Sequence, residues 1–161
     1  MKLRIGIFDS GIGGFTVLKP LLSMNHKFEI LYLADIKRNP YGDRSFQEIR
    51  EIAFEICSWF KDKSLDALLI ACNTTNACAL DIVENELEIP CFDLINSASQ
   101  IVLSNKVGIL ATPATVNSSF YKNSLESLNK GIIVYQQACP EFVPELEKIY
   151  LNKAKLNYLA E

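Results

Sequence analysis

The chain is predicted to be an α/β protein built on a parallel sheet flanked by helices, and two observations carry that prediction. Six short apolar runs recur along the 161 residues with helix-like segments between them in nearly strict alternation. Two of those runs end in turns rich in glycine, hydroxyl and amide residues, Asp9-Ser10-Gly11-Ile12-Gly13-Gly14 and Cys72-Asn73-Thr74-Thr75. Parallel strands ending in such turns bring Asp9 and Cys72 to one carboxyl edge, where open α/β sheets bind ligands.

The elements follow in order. A strand over 4–8 leads into the glycine turn, and a helix is predicted over 14–23. A second strand over 30–34 precedes a polar loop and the clearest helix, 46–60. There Phe46, Ile49, Ala53, Ile56 and Phe60 recur at spacings of three and four, while Glu48, Glu51 and Glu55 fall on other faces. Ser45 is placed to cap it, with Glu48 completing a capping box. Strands over 67–71, 89–92, 107–110 and 132–135 alternate with helices over 75–86, 97–104, 115–128 and 140–150. The stretch 93–96 is the candidate joint, which gives a first α/β lobe over 1–95 and the beginning of a similar, incomplete second lobe over 96–161. Residues 151–161 are polar and helix-prone without a cap or closing strand, so the chain reads as stopping within a domain.

Composition narrows the function. Hydrophobic residues make up 49% and charged residues 22%, enough for one sizeable core. A net charge of −3 leaves no basic footprint, which argues against nucleic acid as a partner. No apolar run reaches the roughly 20 residues that cross a bilayer, and the amino-terminal residues enter a strand without a signal-type apolar segment, so the expected location is the cytoplasm, away from membranes. The five cysteines form no CxxC pair and lie far from the single histidine, His26, so no metal site is expected. Cys57, Cys78 and Cys91 read as small buried hydrophobes.

The turn at residues 9–14 admits three readings: a phosphate loop, a purely structural glycine turn, or a site for a small carboxylate with Asp9 ready to orient the ligand or take a proton. The spacing matches neither GxGxxG nor GxxxxGK[ST], which favours the third. Cys72 falls in a strand-to-helix turn, where a helix N-terminus is expected to lower a thiol's pKa. Alternatively it only packs, and Asn73 only caps. With His26 expected near the end of the first helix, far from this edge, proton abstraction fits Cys72 better than nucleophilic hydrolysis. The loop 35–44 lies at the same edge, where Tyr41 and Gly42 are able to present N–H groups beside Pro40.

Gly-Ile-Phe-Asp-Ser-Gly-Ile-Gly-Gly, Asn-Pro-Tyr-Gly, Ala-Cys-Asn-Thr and, from Ala138, Ala-Cys-Pro-Glu-Phe-Val-Pro occur in an order that closely resembles the glutamate racemase family. The resemblance implies a cofactor-independent isomerase that interconverts L- and D-glutamate by two-base proton transfer at the α-carbon and supplies D-glutamate for bacterial peptidoglycan. By motif, Cys72 is one base and Asp9 the carboxylate that assists it. Ser10, Pro40, Tyr41, Gly42, Asn73, Thr74, Thr112 and Thr115 correspond to substrate contacts, and Glu147 to an acidic residue that supports the second base. The expected partner is the small-molecule substrate, and a homodimer is compatible with the resemblance. The family's second catalytic cysteine stands in a Gly-Cys-Thr-His segment that these 161 residues do not contain, and Cys139, before a proline, does not match it. The chain is therefore expected to stop short of that cysteine and to racemise poorly alone. An aspartate or other amino-acid racemase of the same fold, or a catalytically inactive truncated binding protein, are the alternatives.

Overall fold

A computed structural model describes residues 2–159, with side chains described as far as Asn152. Its elements are β1 (Leu3–Asp9), α1 (Phe15–Ser23), β2 (Phe28–Ala34), α2 (Phe46–Lys61), β3 (Ala67–Ile70), α3 (Asn73–Glu86), β4 (Cys91–Asp93), α4 (Leu94–Gln100), β5 (Lys106–Ala111), α5 (Pro113–Ser118), α6 (Phe120–Leu128), β6 (Ile133–Ala138) and α7 (Phe142–Leu159). All strand pairings are parallel, and the strands form a four-stranded sheet in the order β2-β1-β3-β4 and a two-stranded sheet of β5 and β6. The parallel α/β architecture expected from the alternation of elements is the one observed.

The first sheet owes its stability to burial on both faces, the usual state of parallel strands. Ile7, Phe8, Leu68 and Ile70 are almost wholly buried, and α2 packs Ile49, Ile52, Ala53, Ile56, Cys57 and Phe60 into the same core. Both halves of the α2 capping box are formed: Ser45 Oγ accepts from the Glu48 N–H at 3.2 Å, and the Glu48 carboxylate accepts from the Ser45 N–H at 3.3 Å. At an exposed cap this is worth about 1 kcal/mol.

Three element boundaries differ from the sequence-based expectation. The helix expected over 97–104 is α4, Leu94–Gln100, because the Asp93 carboxylate accepts from the Asn96 N–H at 2.7 Å and starts the helix directly after β4. The helix expected over 115–128 is broken into α5 and α6 by Ser119 in the left-handed conformation, φ 56° and ψ 13°. The last helix starts at Phe142 and runs past 150 to Leu159, so the helix-prone tail does continue it.

Candidate active site

β1 and β3 are neighbours, with Phe8 opposite Ile70, and the Ala71 N–H donates to the Phe8 carbonyl at 2.8 Å. That pairing releases Asp9 and Cys72 side by side at the carboxyl edge. Cys72 is the extended residue that precedes the first turn of α3, and it is only 3% exposed. Its thiol lies 3.4 Å from the Ser10 hydroxyl. Asp9 is also buried, and its Oδ2 accepts from the Gly11 N–H at 3.1 Å and the Gly14 N–H at 3.0 Å.

In the glycine turn the Gly11 and Gly14 amides are taken by Asp9 itself, and the Ile12 N–H donates to Glu147 Oε1 at 3.4 Å. None of the described glycines has a positive φ. What the turn requires is close approach: a Cβ on Gly11 would collide with Glu147 Oε1, and one on Gly14 with the Tyr32 hydroxyl and Asp9 Cβ.

The loop after β2 supplies a second wall. Tyr41 is buried, and its hydroxyl donates to Asp35, whose carboxylate also pairs with Arg38. Burial and the neighbouring Asp35 push the Tyr41 phenol far above its ordinary pKa, so it stays a hydrogen-bond donor. Next to it the Gly42 carbonyl accepts from the Ala114 N–H at 3.0 Å, against the start of α5. Thr112 caps that helix, and its Oγ1 is 3.1 Å from Thr74 Oγ1 and 3.0 Å from Thr115 Oγ1, so a chain of hydroxyls ties α3 to α5.

These walls and α7 enclose a cavity of about 360 Å³. Asp9, Ser10, Tyr41, Gly42, Cys72, Asn73, Thr74, Thr112 and Glu147 line it, as the sequence motifs suggested. Two expected residues do not. Pro40 is exposed and leaves the lining to its neighbours. Thr115 is 1% exposed behind Thr112 and faces an adjoining cavity beside Gly108 and Tyr121. Asn39, Ile12, Leu94, Val143 and Tyr150 also line the site; Asn39, Ile12 and Val143 stand within the motifs but carry no expected site role, and Leu94 and Tyr150 lie outside them, because their approach is set by tertiary packing. His26 lies between α1 and β2, at the opposite edge of the sheet. Among the described residues no group of three or more His, Cys, Asp or Glu is arranged to hold a metal ion, and no helix is long and apolar enough to cross a membrane.

The electrostatics correct one further expectation. The Cys72 thiol is pushed up, first by burial and second by the Asp9 charge; hydrogen bonds from Ser10 and Thr75 favour the thiolate but do not outweigh them. The helix N-terminus does not win at this thiol. Burial and the neighbouring Asp9 charge thus favour the neutral thiol at Cys72.

Fold and site define an α/β protein whose candidate centre is a thiol–carboxylate pair at the carboxyl edge of a parallel sheet, with hydroxyl and amide groups around a space that fits a small polar molecule. No family model matches the chain. A glutamate racemase from Prochlorococcus marinus is 48% identical over 158 residues, 98% of this chain and 60% of the relative. The crystal structure of glutamate racemase from Francisella tularensis in complex with D-glutamate superposes with a TM-score of 0.88 at 40% identity, covering 91% of this chain and 57% of that one. A glutamate racemase isoform from Bacillus anthracis gives 0.86 at 32% identity, covering 95% and 59%. Over the residues it shares with them, the chain is similar to glutamate racemases in both sequence and fold. It spans about 60% of the length of the relatives it matches.

Proposed function

We propose that this chain carries half of a cofactor-independent glutamate racemase, with Cys72 as one of two bases that exchange the α-proton of glutamate. The observation that carries the reading is the placement of Cys72 beside Asp9 and Ser10 in a cavity with Tyr41, Gly42, Asn73, Thr74 and Thr112.

Binding brings the substrate ammonium toward Asp9, which offsets the Asp9 repulsion that adds to burial in raising the Cys72 pKa, and so favours formation of the thiolate. The thiolate then removes the α-proton, and a proton delivered to the opposite face inverts the centre. The Asp9 carboxylate, held by the Gly11 and Gly14 amides, assists the transfer. Exposed Asn73 and the Thr74–Thr112 hydroxyls bind the substrate carboxylates, with Thr115 fixing Thr112 from behind. Glu147, on the α7 wall, supports the second base. Cys139 does not line the cavity and is not assigned as the opposite-face donor; the resemblance gives that role to a cysteine in a Gly-Cys-Thr-His segment.

The two lobes, 1–95 and 96–161, would each supply part of the cavity. The product, D-glutamate, serves peptidoglycan synthesis in the cytoplasm, and a homodimer is compatible with the reading.

Incubation with glutamate or aspartate in deuterium oxide tests the assignment. The account predicts α-deuterium in glutamate. Deuterium in aspartate alone would move the chain to another racemase of the fold, and ligand binding without exchange would make it a binding protein.

A further inference from the structure

Asn39 has no role in the account so far. Its side chain crosses from the β2–α2 loop to α7, and Nδ2 donates to Glu147 Oε2 at 2.7 Å. A carboxylate only accepts, so the carboxamide is fixed with its nitrogen toward Glu147. The other carboxylate oxygen receives the Ile12 N–H at 3.4 Å and lies where any side chain on Gly11 would collide with it. One carboxylate thus joins three segments: α7, the β1–α1 turn and the β2–α2 loop.

Among the described residues, α7 has little else to hold it there. Leu146, Ile149 and Tyr150 remain 54%, 49% and 56% exposed, so the described part of the helix gains little from apolar burial. Yet Val143, Leu146, Glu147 and Tyr150 form a wall of the cavity that contains Cys72. A helix that covers a buried thiol while burying little of itself depends on its polar anchor. Among the described residues, Glu147 is the α7 side chain hydrogen-bonded to those two loops.

We propose that Asn39 is a positioning residue: its carboxamide seats Glu147 against the Gly11–Ile12 turn, and that seat holds α7 over the cavity and limits access to Cys72. This goes beyond the racemase reading and does not depend on it.

The test is the rate at which iodoacetamide labels Cys72 in the whole 161-residue chain, resolved by peptide mass spectrometry. Cys57, 1% exposed on the core face of α2, is the internal control. Asn39→Ala changes no charge, and it should label Cys72 roughly tenfold faster, the scale on which losing one hydrogen bond to a charged group shifts an opening equilibrium. Glu147→Ala, which breaks the contact from the other side, should do the same, and Cys57 should be unaffected in both. Asn39→Asp sets two carboxylates face to face and should open the seat, whereas Asn39→Asp/Glu147→Gln reverses donor and acceptor and should bring labelling back to within about twofold of the parent. Unchanged Cys72 labelling in both alanine variants, acceleration of Cys72 and Cys57 together, or a double variant as open as Asn39→Asp would each overturn the assignment.

Discussion

The thiol of Cys72 lies 3.4 Å from the hydroxyl of Ser10, joining the turn after β3 to the turn after β1. The same cysteine feels the Asp9 charge, and the two influences oppose each other: Ser10 favours the thiolate and Asp9 disfavours it. This opposition makes the thiol's acidity depend on what fills the cavity.

Asp9→Asn should separate acidity from catalysis. Removing the charge lowers the Cys72 pKa, so the pH profile of its alkylation shifts to lower pH, because a like charge no longer opposes ionisation. Exchange of the glutamate α-proton should nevertheless fall, by ~10²-fold or more, as the assisting carboxylate is lost. An alkylation profile that stays in place or moves to higher pH would contradict the electrostatic account.

Gly42→Ala should damage both fold and binding. The added Cβ would sit 2.6 Å from Thr112 Cγ2 and 2.7 Å from Thr112 Cβ. Overpacking of this kind costs about 1–3 kcal/mol, and it would push Thr112 off Thr74. Thermal melts and glutamate titration should show lower stability and weaker binding, with Thr112→Ser restoring part of each by removing the methyl group.

The buried thiols make the protein sensitive to alkali. Cys57 is pushed up from 9.0 to about 12, and Cys78 and Cys91 to about 11, mainly by burial. The folded chain keeps these protons at a pH where the unfolded chain has released them. Their contribution to stability is therefore complete below about pH 9 and is lost as pH rises toward 11 and 12. Urea melts between about pH 8 and pH 10.5 should show a steady decline that is shallower in Cys57→Ala; a flat profile would refute the assignment.

Ser119 holds a left-handed conformation between α5 and α6 and has no side-chain cap hydrogen bond. A non-glycine residue there is strained by about 1–2 kcal/mol, and glycine's extra chain entropy returns roughly 0.5–1 kcal/mol of that. Ser119→Gly should accordingly raise stability by a few tenths to about 1 kcal/mol in equilibrium unfolding.

The same residue shows where the sequence stopped being legible. Strand positions and α2 could be read from periodicity and from the Ser45–Glu48 pair, because those signals are local. The break at Ser119 has no glycine or proline to announce it. The start of α4 was legible in principle, since Asp93 is a good cap, but it falls in a stretch that also reads as a joint. At the site, Asp9, Cys72 and their neighbours are marked by turns at strand ends. Asn39 and Ile12 gain their roles only when α7 brings Glu147 to them, a contact 108 residues away in sequence for Asn39. The direction of the Cys72 shift needed the burial and the Asp9 distance, which no spacing rule supplies.

The most direct test of the central claim is α-deuterium incorporation into D- and L-glutamate, each incubated in deuterium oxide with the 161-residue chain and with its Cys72→Ser variant. One enantiomer should gain deuterium with little inversion, since a single base returns the proton to the face it left, and the variant should lose that exchange by ~10²–10⁴-fold. Absence of exchange in both enantiomers, or exchange undiminished in Cys72→Ser, would contradict the role assigned to Cys72.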